Sequence, residues 1–328
     1  MISIIIPTYN GEKTIIKTLE SILDNNSSNF EVIVVNDGSN DNTINLLKNY
    51  IKDKDNVKII EKENSGVSES RNAGIINARG NYIMFCDDDD LYQASLIDNI
   101  EKDIKKYNPQ YISFGRIDIN NNHEYRCSDY NDIKIYNDIN KYLIERFCKG
   151  YTTFSVCNKV YNKELLDKYQ IRFNKSLDLS EDLDFNLKYF EYIDGEVLED
   201  DTINYLRICY QDSTIYRKIN NYFEKSIAIL ENIEKESKID NKKNIFDLLK
   251  CHFCTISLNR LFSGQDASDI NFKEFNEKCK IIYTYLRKNN IQFVYRKNTR
   301  NNILFSLFKC RMFFSLYIVS IKIGNLIR

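Results

Sequence analysis

Apolar runs alternate with amphipathic segments through the first third of the chain. Four runs rich in β-branched and aromatic residues predict buried strands, at Ile2–Ile6, Glu31–Val35, Val57–Glu61 and Tyr82–Phe85. The first run is followed by apolar residues spaced three or four apart, at Ile15, Ile16, Leu19, Ile22 and Leu23, and the second by Ile44, Leu47 and Ile51. Such spacing places each set on one face of a helix. Strands that alternate with helices predict an α/β fold with a mostly parallel central sheet and flanking helices.

Polar segments follow the predicted strands directly, at residues 7–12, 36–41, 64–66 and 87–90. Each segment alone is typical of an ordinary turn. Ligands of open parallel sheets bind at the carboxyl ends of the strands. We therefore expect these four segments to meet at one edge of the sheet and to form a binding site there.

The last of these segments contains four consecutive carboxylates, Asp87 to Asp90, immediately after a buried strand. Adjacent anions repel one another, so a fold that fixes them at a strand end commonly uses a divalent cation to hold them. Oxygen ligands without histidine or thiolate favour Mg²⁺ or Mn²⁺ over zinc. From this segment alone, a solvated acidic loop is an equally good interpretation.

Composition indicates an ordinary globular protein. The chain has 328 residues, of which 43% are hydrophobic and 13% aromatic, so global disorder is excluded. This length accommodates one large α/β domain with a helical appendage, or two smaller domains. Nine scattered cysteines, and a first strand with no basic region before it, predict a protein of the reducing cytoplasm without a signal peptide.

The net charge of −1 conceals an asymmetry along the chain. No acidic residue follows Glu277, whereas eleven lysines and arginines do, so this tail carries +11 and the remainder −12. A tail of this charge predicts an anionic partner, either a membrane surface or a nucleic acid.

Taken together, the motifs resemble those of family 2 glycosyltransferases with the GT-A fold, a Rossmann-like arrangement. The matching segments are Ile4–Asn10, Val34–Ser39, Asn64–Gly66 with Ser70–Gly74, Gly80–Asp90 and Ser180–Asp182. The resemblance covers roughly residues 1–210. It implies a catalytic domain at residues 1–215, a helical C-terminal region at 216–328, and inverting transfer of a sugar from a nucleotide donor, a UDP-sugar, to an acceptor hydroxyl.

The resemblance also assigns site residues. The nucleotide contacts that it implies are Pro7, Thr8, Tyr9, Asn10, Glu12, Asp37, Gly66, Arg71 and Asp88. Among these, Asp37 is assigned to the uracil ring and Asp88 to the ribose or diphosphate. Asp89 is assigned to a Mn²⁺ or Mg²⁺ cofactor, with Asp87 as a metal ligand in the other common registration of the family's DXD motif.

The acceptor side is assigned to Asp182 and Glu181. A direct displacement needs a fixed base for the acceptor's proton, and the resemblance gives that role to Asp182, with Glu181 supporting it or facing the acceptor. Two acids at a helix start are, in isolation, more often capping groups than catalysts. Lys159 is a candidate contact for a phosphate or for the acceptor.

The C-terminal region predicts helices at Ile219–Glu236 and Phe246–Phe262, and then a basic, aromatic-rich segment beyond residue 300. Its longest uncharged run, between Arg311 and Lys322, is about half of what a membrane-spanning helix needs. We therefore expect peripheral contact with the inner face of the cell membrane, the alternative being a helix docked on protein.

The leading hypothesis is a bacterial glycosyltransferase whose acceptor is a glycan or a lipid-linked oligosaccharide, with no nucleic-acid partner and with oligomerisation left open. A dinucleotide oxidoreductase is disfavoured because no Gly-x-Gly occurs in the chain. The remaining alternative is a catalytically inactive protein of the same fold that acts as a membrane-associated binding or scaffold subunit. Asp37, Asp89 and Asp182 argue against it.

Overall fold

The computed structural model describes residues 1–120, 123–126, 132–148, 154–210, 219–262 and 271–289, with the main chain alone at positions 147, 148 and 262. The chain divides into two compact units, residues 1–142 with 153–210 and residues 143–152 with 211–328. All predicted site residues belong to the first unit. The predicted domain boundary at residues 215 and 216 lies outside the described residues.

In the described part of the chain, ten strands form one sheet, and the four predicted strands are among them. Their bounds are β1 (Ile2–Thr8), β2 (Phe30–Asn36), β3 (Val57–Glu61), β4 (Tyr82–Phe85), β5 (Leu91–Tyr92), β6 (Tyr111–Asn120), β7 (His123–Arg126), β8 (Ile133–Tyr136), β9 (Lys159–Asn162) and β10 (Val197–Ile208). β1 and β2 are buried along their whole length, as their continuous apolar runs indicate.

The sheet order is β3-β2-β1-β4-β9-β6-β10-β5, with β7 beside β6 and β8 beside β10. The first four strands are parallel, in agreement with the sequence prediction. Beyond β4 the sheet is mixed, because β9 runs antiparallel to both of its neighbours and β6 turns back into β7 through two residues. So short a connection can join only antiparallel strands.

Among the described residues before position 200 there are seven helices. Their bounds are α1 (Ile15–Leu23), α2 (Thr43–Tyr50), α3 (Val67–Asn77), α4 (Leu96–Tyr107), α5 (Ile139–Cys148), α6 (Lys163–Lys168) and α7 (Glu181–Phe190). α1 buries the predicted face, including Ile15, Leu19 and Ile22. α3 packs unusually close to the sheet: a Cβ at Gly74 would lie 2.3 Å from Cγ2 of Ile5, so only glycine permits this approach.

An aromatic cluster fills the core beneath the acidic run. Phe85 meets Phe173 edge to face with ring centroids 5.4 Å apart, and Phe173 stacks on Phe185 at 4.0 Å. Such pairs add to the free energy gained by burying the rings. Because Phe85 is anchored in this way, the main chain that leads into Asp87 has a fixed direction.

The described part of the second unit contains the two predicted helices, α8 (Tyr222–Glu236) and α9 (Lys242–Phe262), and a third that was not predicted, α10 (Phe272–Lys288). An ion pair of 2.7 Å joins Lys250 to Glu234, and the Tyr285 hydroxyl donates to Glu231 at 3.1 Å. None of the described helices is both long and apolar enough to span a membrane. The basic tail from residue 290 onward lies outside the described residues.

Candidate active site

The carboxyl ends of β1, β2 and β4 lie side by side at one edge of the sheet. Thr8 pairs with Asn36 across β1 and β2, and Ile5 pairs with Phe85 across β1 and β4. The segments that follow these strands therefore begin at the same edge, as the sequence predicts. This edge carries the carboxylates and hydrogen-bonding groups expected of a nucleotide-sugar site.

The loop after β1 is tied to the loop after β2. Asn10 has a left-handed backbone (φ 55°), its main-chain N–H donates to Ser39 at 2.9 Å, and its side chain accepts from the Asn40 N–H at 2.8 Å. Glu12 accepts from Asn42 N–H at 3.1 Å. These contacts give Asn10 and Glu12 a structural part in shaping the loop.

Three further residues that are predicted to contact the nucleotide lie at the end of β1 or just beyond it. Pro7 and Thr8 are buried within the strand, whereas Tyr9 is 48% exposed. An exposed aromatic ring at the edge of such a site offers a surface on which a base can stack. Tyr9 is therefore the member of this loop whose side chain remains available to a ligand.

Asp37 is buried directly after β2 and holds the loop that leads into α3. It accepts hydrogen bonds from Lys62 and from the main-chain N–H groups of Ser65 at 2.9 Å and Gly66 at 2.8 Å. Burial opposes its ionised form, but these donors outweigh burial and lower the pKa of Asp37 below its ordinary value. Gly66 has φ 92°, a conformation that glycine adopts without strain.

Two of the four adjacent aspartates are bonded into the fold. Asp88 accepts from the Thr8 hydroxyl, and its main-chain oxygen accepts from the Thr18 hydroxyl at 3.0 Å. Asp90 is 2% exposed and accepts from the Tyr205 hydroxyl at 2.6 Å and from the Ile208 N–H at 2.8 Å. Both carboxylates thus fix the segment to its surroundings.

Asp87 and Asp89, like Asp88, are partly exposed, whereas Asp90 is buried. Burial, followed by repulsion from Asp87, raises the pKa of Asp89 to about 6, although the Arg207 guanidinium opposes the rise. Burial, together with repulsion from Asp89 and Asp87, likewise raises the pKa of Asp88 to about 7. Burial and mutual repulsion thus both oppose the ionised forms of these two carboxylates, and a bound cation would relieve the repulsion.

Arg71 lies between the acidic run and α7. Its Nη1 donates to Asp182 Oδ1 at 2.7 Å and lies 3.7 Å from Glu181 Oε1, while its Nη2 donates to Asp87 Oδ1 at 3.0 Å. Its guanidinium carbon stands 5.2 Å from the centre of the Phe173 ring. These contacts of Arg71, which is predicted to bind the nucleotide, are with protein groups on α7, in the acidic run and at Phe173.

Asp182, the candidate base, is the second residue of α7. Its side chain is not the helix cap: the cap position is Ser180, and no side chain makes a capping hydrogen bond there. Burial is the largest influence on Asp182 and, with Glu181 and Asp87, raises its pKa to about 7, against the opposing effect of Arg71. The capping interpretation of Asp182 therefore has no hydrogen bond to support it.

Lys159 is buried in the sheet at the end of β9 that lies beside the carboxyl end of β4, because Val160 pairs with Met84 across the two antiparallel strands. It begins β9, is fully buried, and donates to the main-chain and side-chain oxygens of Asn158 at 3.2 and 2.7 Å. The phosphate or acceptor contact of Lys159 stays a prediction, and its described hydrogen bonds are with Asn158.

Sequence reasoning missed Tyr205 and Arg207 on β10. The Tyr205 hydroxyl donates to Asp90 and accepts from the Asp87 N–H at 3.2 Å, while Arg207 pairs with Asp118 near Asp89. The two residues are separated by one position and so share a face of the strand. The sequence shows this alternation, but it does not show the partners, which lie 89 to 118 positions away.

The carboxylates of the acidic run suit a divalent cation whose remaining ligands come from the substrate. Among the described residues, no group of three or more His, Cys, Asp or Glu side chains is arranged to hold a metal ion. Mg²⁺, however, usually binds through one or two carboxylates plus substrate phosphates and water. Asp87 and Asp89 provide two hard, partly exposed carboxylates in a segment of excess negative charge, so they fit this mode of binding.

A comparison with known families agrees with this geometry. The model described as "Glycosyl transferase family 2" matches residues 3–170. A teichoic acid poly(glycerol phosphate) polymerase from Staphylococcus epidermidis is 29% identical over 207 residues, covering 58% of this chain and 26% of that protein. Glycosyltransferase GlyA from Streptococcus pneumoniae is 30% identical over 182 residues, covering 53% and 26%. The chain thus spans about a quarter of the length of these relatives.

Solved structures share the fold. Residues 1–349 of S. aureus TarS in complex with UDP-GlcNAc match with a TM-score of 0.70 at 19% identity, covering 97% of this chain and 90% of that one. The mannosyltransferase PcManGT from Pyrobaculum calidifontis, in complex with GDP-Man and Mn²⁺, matches with a TM-score of 0.55 at 14% identity, covering 99% and 86%. At these identities the likeness establishes the GT-A fold alone.

Proposed function

The chain belongs to glycosyl transferase family 2, and from that premise we propose that this enzyme transfers a sugar with inversion from a UDP-sugar to a hydroxyl of a glycan or lipid-linked saccharide. One observation carries the proposal. Asp87 and Asp182, which are 95 positions apart, are hydrogen-bonded to the same guanidinium at the carboxyl edge of the sheet. A donor-side carboxylate and a candidate base therefore belong to a single site.

On the donor side, Asp37 and the exposed ring of Tyr9 are proposed to bind the nucleoside. The complexes of TarS with UDP-GlcNAc and with UDP support a uridine nucleotide. Asp87 and Asp89 would hold Mg²⁺ or Mn²⁺, and the Mn²⁺ complex of PcManGT supports this cofactor. When bound, such a cation neutralises the charge that develops on the leaving diphosphate.

On the acceptor side, Asp182 is proposed as the general base. An attacking hydroxyl becomes acidic only as its bond to the sugar forms, so a carboxylate at hydrogen-bonding distance is sufficient. The carboxylate must be ionised to accept the proton, and the adjacent Arg71 charge favours that form. Attack from the face opposite the departing diphosphate inverts the anomeric centre. Glu181, with its carboxylate 3.7 Å from Arg71, is proposed to face the acceptor.

The acceptor class follows from the relatives and from the tail. A polymerase of a cell-wall polymer is among the relatives, which supports a surface glycan or a lipid-linked intermediate as acceptor. The basic, aromatic-rich segment beyond residue 300 is proposed to hold the enzyme on the inner face of the membrane, where such intermediates are found.

Titration calorimetry of the full chain with UDP, GDP, CDP and dTDP, with and without Mn²⁺, tests the donor class. We expect UDP to bind most tightly, and Mn²⁺ to increase its affinity. UDP-sugars are then screened for metal-dependent transfer. Equal, metal-independent affinity for all four nucleotides would contradict the proposed donor and cofactor.

Asp182→Asn tests the base, because asparagine keeps the size and hydrogen bonding of the side chain but cannot accept the proton. We expect UDP affinity within a few fold of wild type and transfer lowered by at least about 100-fold. Melting temperature serves as the control for folding. A variant that transfers at the normal rate would eliminate Asp182 as the base.

A further inference from the structure

Arg71 occupies the centre of the site. We propose that Arg71 is a positioning residue that sets the orientation of Asp182 relative to Asp87, so that the acceptor's base and the donor-side carboxylate keep one geometry. This inference rests on the proposed function, since it gives Arg71 a role in the transfer step and not in nucleotide binding.

The contacts of Arg71 are made from a rigid, buried position. The residue lies within α3, is 4% exposed, and reaches α7 with Nη1 and the acidic run with Nη2. Its partners are 111 and 16 positions away in sequence. One guanidinium thus joins three separate elements of the fold at the point where chemistry is proposed.

The chemistry of the guanidinium explains why an arginine is needed. Its planar fork presents two terminal nitrogens at a fixed angle, so it can hold two carboxylates in a defined relation. Its flat face lies against Phe173, which is itself stacked on Phe185 of α7. A lysine ammonium is a point charge without a defined plane, and it would not fix both carboxylates at once.

The surrounding charges explain why the positioning matters. Asp87, Glu181 and Asp182 all lie within 4 Å of Arg71. Without the guanidinium these carboxylates would repel one another and turn apart. Removing Arg71 should therefore disorder the base while leaving Asp37 and Tyr9, which are proposed to bind the nucleoside, unchanged.

A direct nucleotide contact by Arg71 predicts the opposite result. A guanidinium bound to phosphate contributes to donor affinity, so its loss would raise the donor's dissociation constant and leave transfer at saturating donor largely intact. A positioning role lowers kcat and leaves UDP affinity near that of wild type. The two roles are thus separated by which kinetic parameter changes.

The test is a double-mutant cycle of Arg71→Gln and Asp182→Ala in the full chain, measured by UDP affinity, transfer rate and urea unfolding without ligand. We expect Arg71→Gln to lower transfer by at least about 10-fold while UDP affinity, measured without Mn²⁺ because Asp87 is also a proposed metal ligand, stays within about 3-fold. If Arg71 acts through Asp182, the double variant is no slower than Asp182→Ala alone, and its loss of stability is less than the sum of the single losses.

Two further variants keep the result interpretable. Arg71→Lys retains the charge if Arg71→Gln fails to fold, and we expect its transfer rate to remain at least about 10-fold below wild type. Arg79→Gln breaks an ion pair with buried Glu31 away from the site, and we expect it to lower stability without lowering transfer.

Additive losses of transfer and stability in the cycle, normal transfer by Arg71→Lys, or a more than 10-fold loss of UDP affinity at unchanged kcat would overturn the positioning role. Failure of the proposed function appears differently, as a wild-type enzyme that transfers no sugar. In that case the urea cycle, which needs no substrate, still decides whether Arg71 and Asp182 are coupled.

Discussion

At the scale of single residues, four consecutive aspartates have four different surroundings. Asp88 is bonded to Thr8 of β1 and Asp90 to Tyr205 of β10, so these two fix the segment. Asp87 accepts a hydrogen bond from Arg71. Burial, followed by repulsion from Asp87, raises the pKa of Asp89. Because Asp88 and Asp90 are bonded to the strands that flank the segment, Asp87 and Asp89 are the pair proposed for a cation.

Replacing Asp89 with Ala tests that pairing. We expect turnover to fall by at least about 100-fold, and the increase in UDP affinity caused by Mn²⁺ to disappear, while the melting temperature stays near that of wild type. Asp53→Ala, at an exposed carboxylate in the turn after α2, is the control. Retention of Mn²⁺-dependent UDP binding by the Asp89 variant would remove Asp89 from the metal site.

Asp37→Ala tests recognition of the base. A carboxylate can accept the imide hydrogen that uracil carries and cytosine lacks, so we expect UDP binding to weaken by about 1.5–3 kcal/mol and CDP binding to change little. Asp37 also accepts hydrogen bonds from the Ser65 and Gly66 N–H groups, so its replacement could instead weaken binding by loosening this loop. If Asp37 only supports this loop, UDP and CDP will lose affinity equally in calorimetry.

At the scale of elements, β10 is tied to the acidic run by one part of the strand and to α4 by another. Tyr205 bonds Asp90, and Asp200 approaches Asp103 of α4 closely enough to share a hydrogen bond. Asp103 is 7% exposed, and its Oδ2 is buried without a partner. Burial, and then Asp200, raise the pKa of Asp103 to about 7, against the opposing charge of Lys106.

This pair predicts a pH dependence of stability. A carboxyl group whose pKa is raised by folding contributes most when protonated, so its contribution is complete below its ordinary pKa of 3.8 and is lost as pH rises toward about 7. We expect Asp103→Asn, which mimics the protonated form, to gain unfolding free energy relative to wild type between about pH 4 and pH 7, and no more above that.

Urea unfolding at several pH values measures the effect. Asp98→Asn, at a partly exposed carboxylate in the first turn of the same helix, is the matched control. A difference between wild type and Asp103→Asn that does not vary with pH would show that the two carboxyl groups share no proton.

At the scale of the whole molecule, charge is separated along the chain. The residues proposed for catalysis lie in the unit formed by residues 1–142 and 153–210, whereas the tail after Glu277 carries +11. The acidic run of the first unit is proposed to contribute to catalysis, and the basic residues of the tail are proposed to contribute to location. Most residues of the tail lie outside the part of the chain that the structure describes, so its role in membrane contact stays a prediction.

Deleting residues 301–328 tests the tail. We expect the full chain to bind vesicles that contain phosphatidylglycerol, more weakly as salt rises from about 0.05 to 0.5 M, and the truncated chain to lose most of that binding. Vesicles of phosphatidylcholine alone are the control for charge. Equal, salt-insensitive behaviour of both chains in a sedimentation assay would favour a tail docked on protein.

The sequence by itself determined the first four strands, the helices between them and the meeting of their polar ends at one edge. These features depend on residues close together in the chain, since side-chain periodicity sets which face of an element is buried. The motif resemblance added the roles predicted for Asp182 and for the acidic run. It could not show that Lys159 would be buried beside Asn158.

Only the tertiary structure decided which groups remain available for chemistry. Thr8 meets Asp88 across 80 positions, Arg71 meets Asp182 across 111, and Tyr205 meets Asp90 across 115. The packing of the helices on the sheet determines which residues meet in this way. A local sequence pattern does not specify that packing. Neighbouring aspartates with identical side chains therefore acquire different contacts, because burial and distant partners add to the effect of their sequence neighbours.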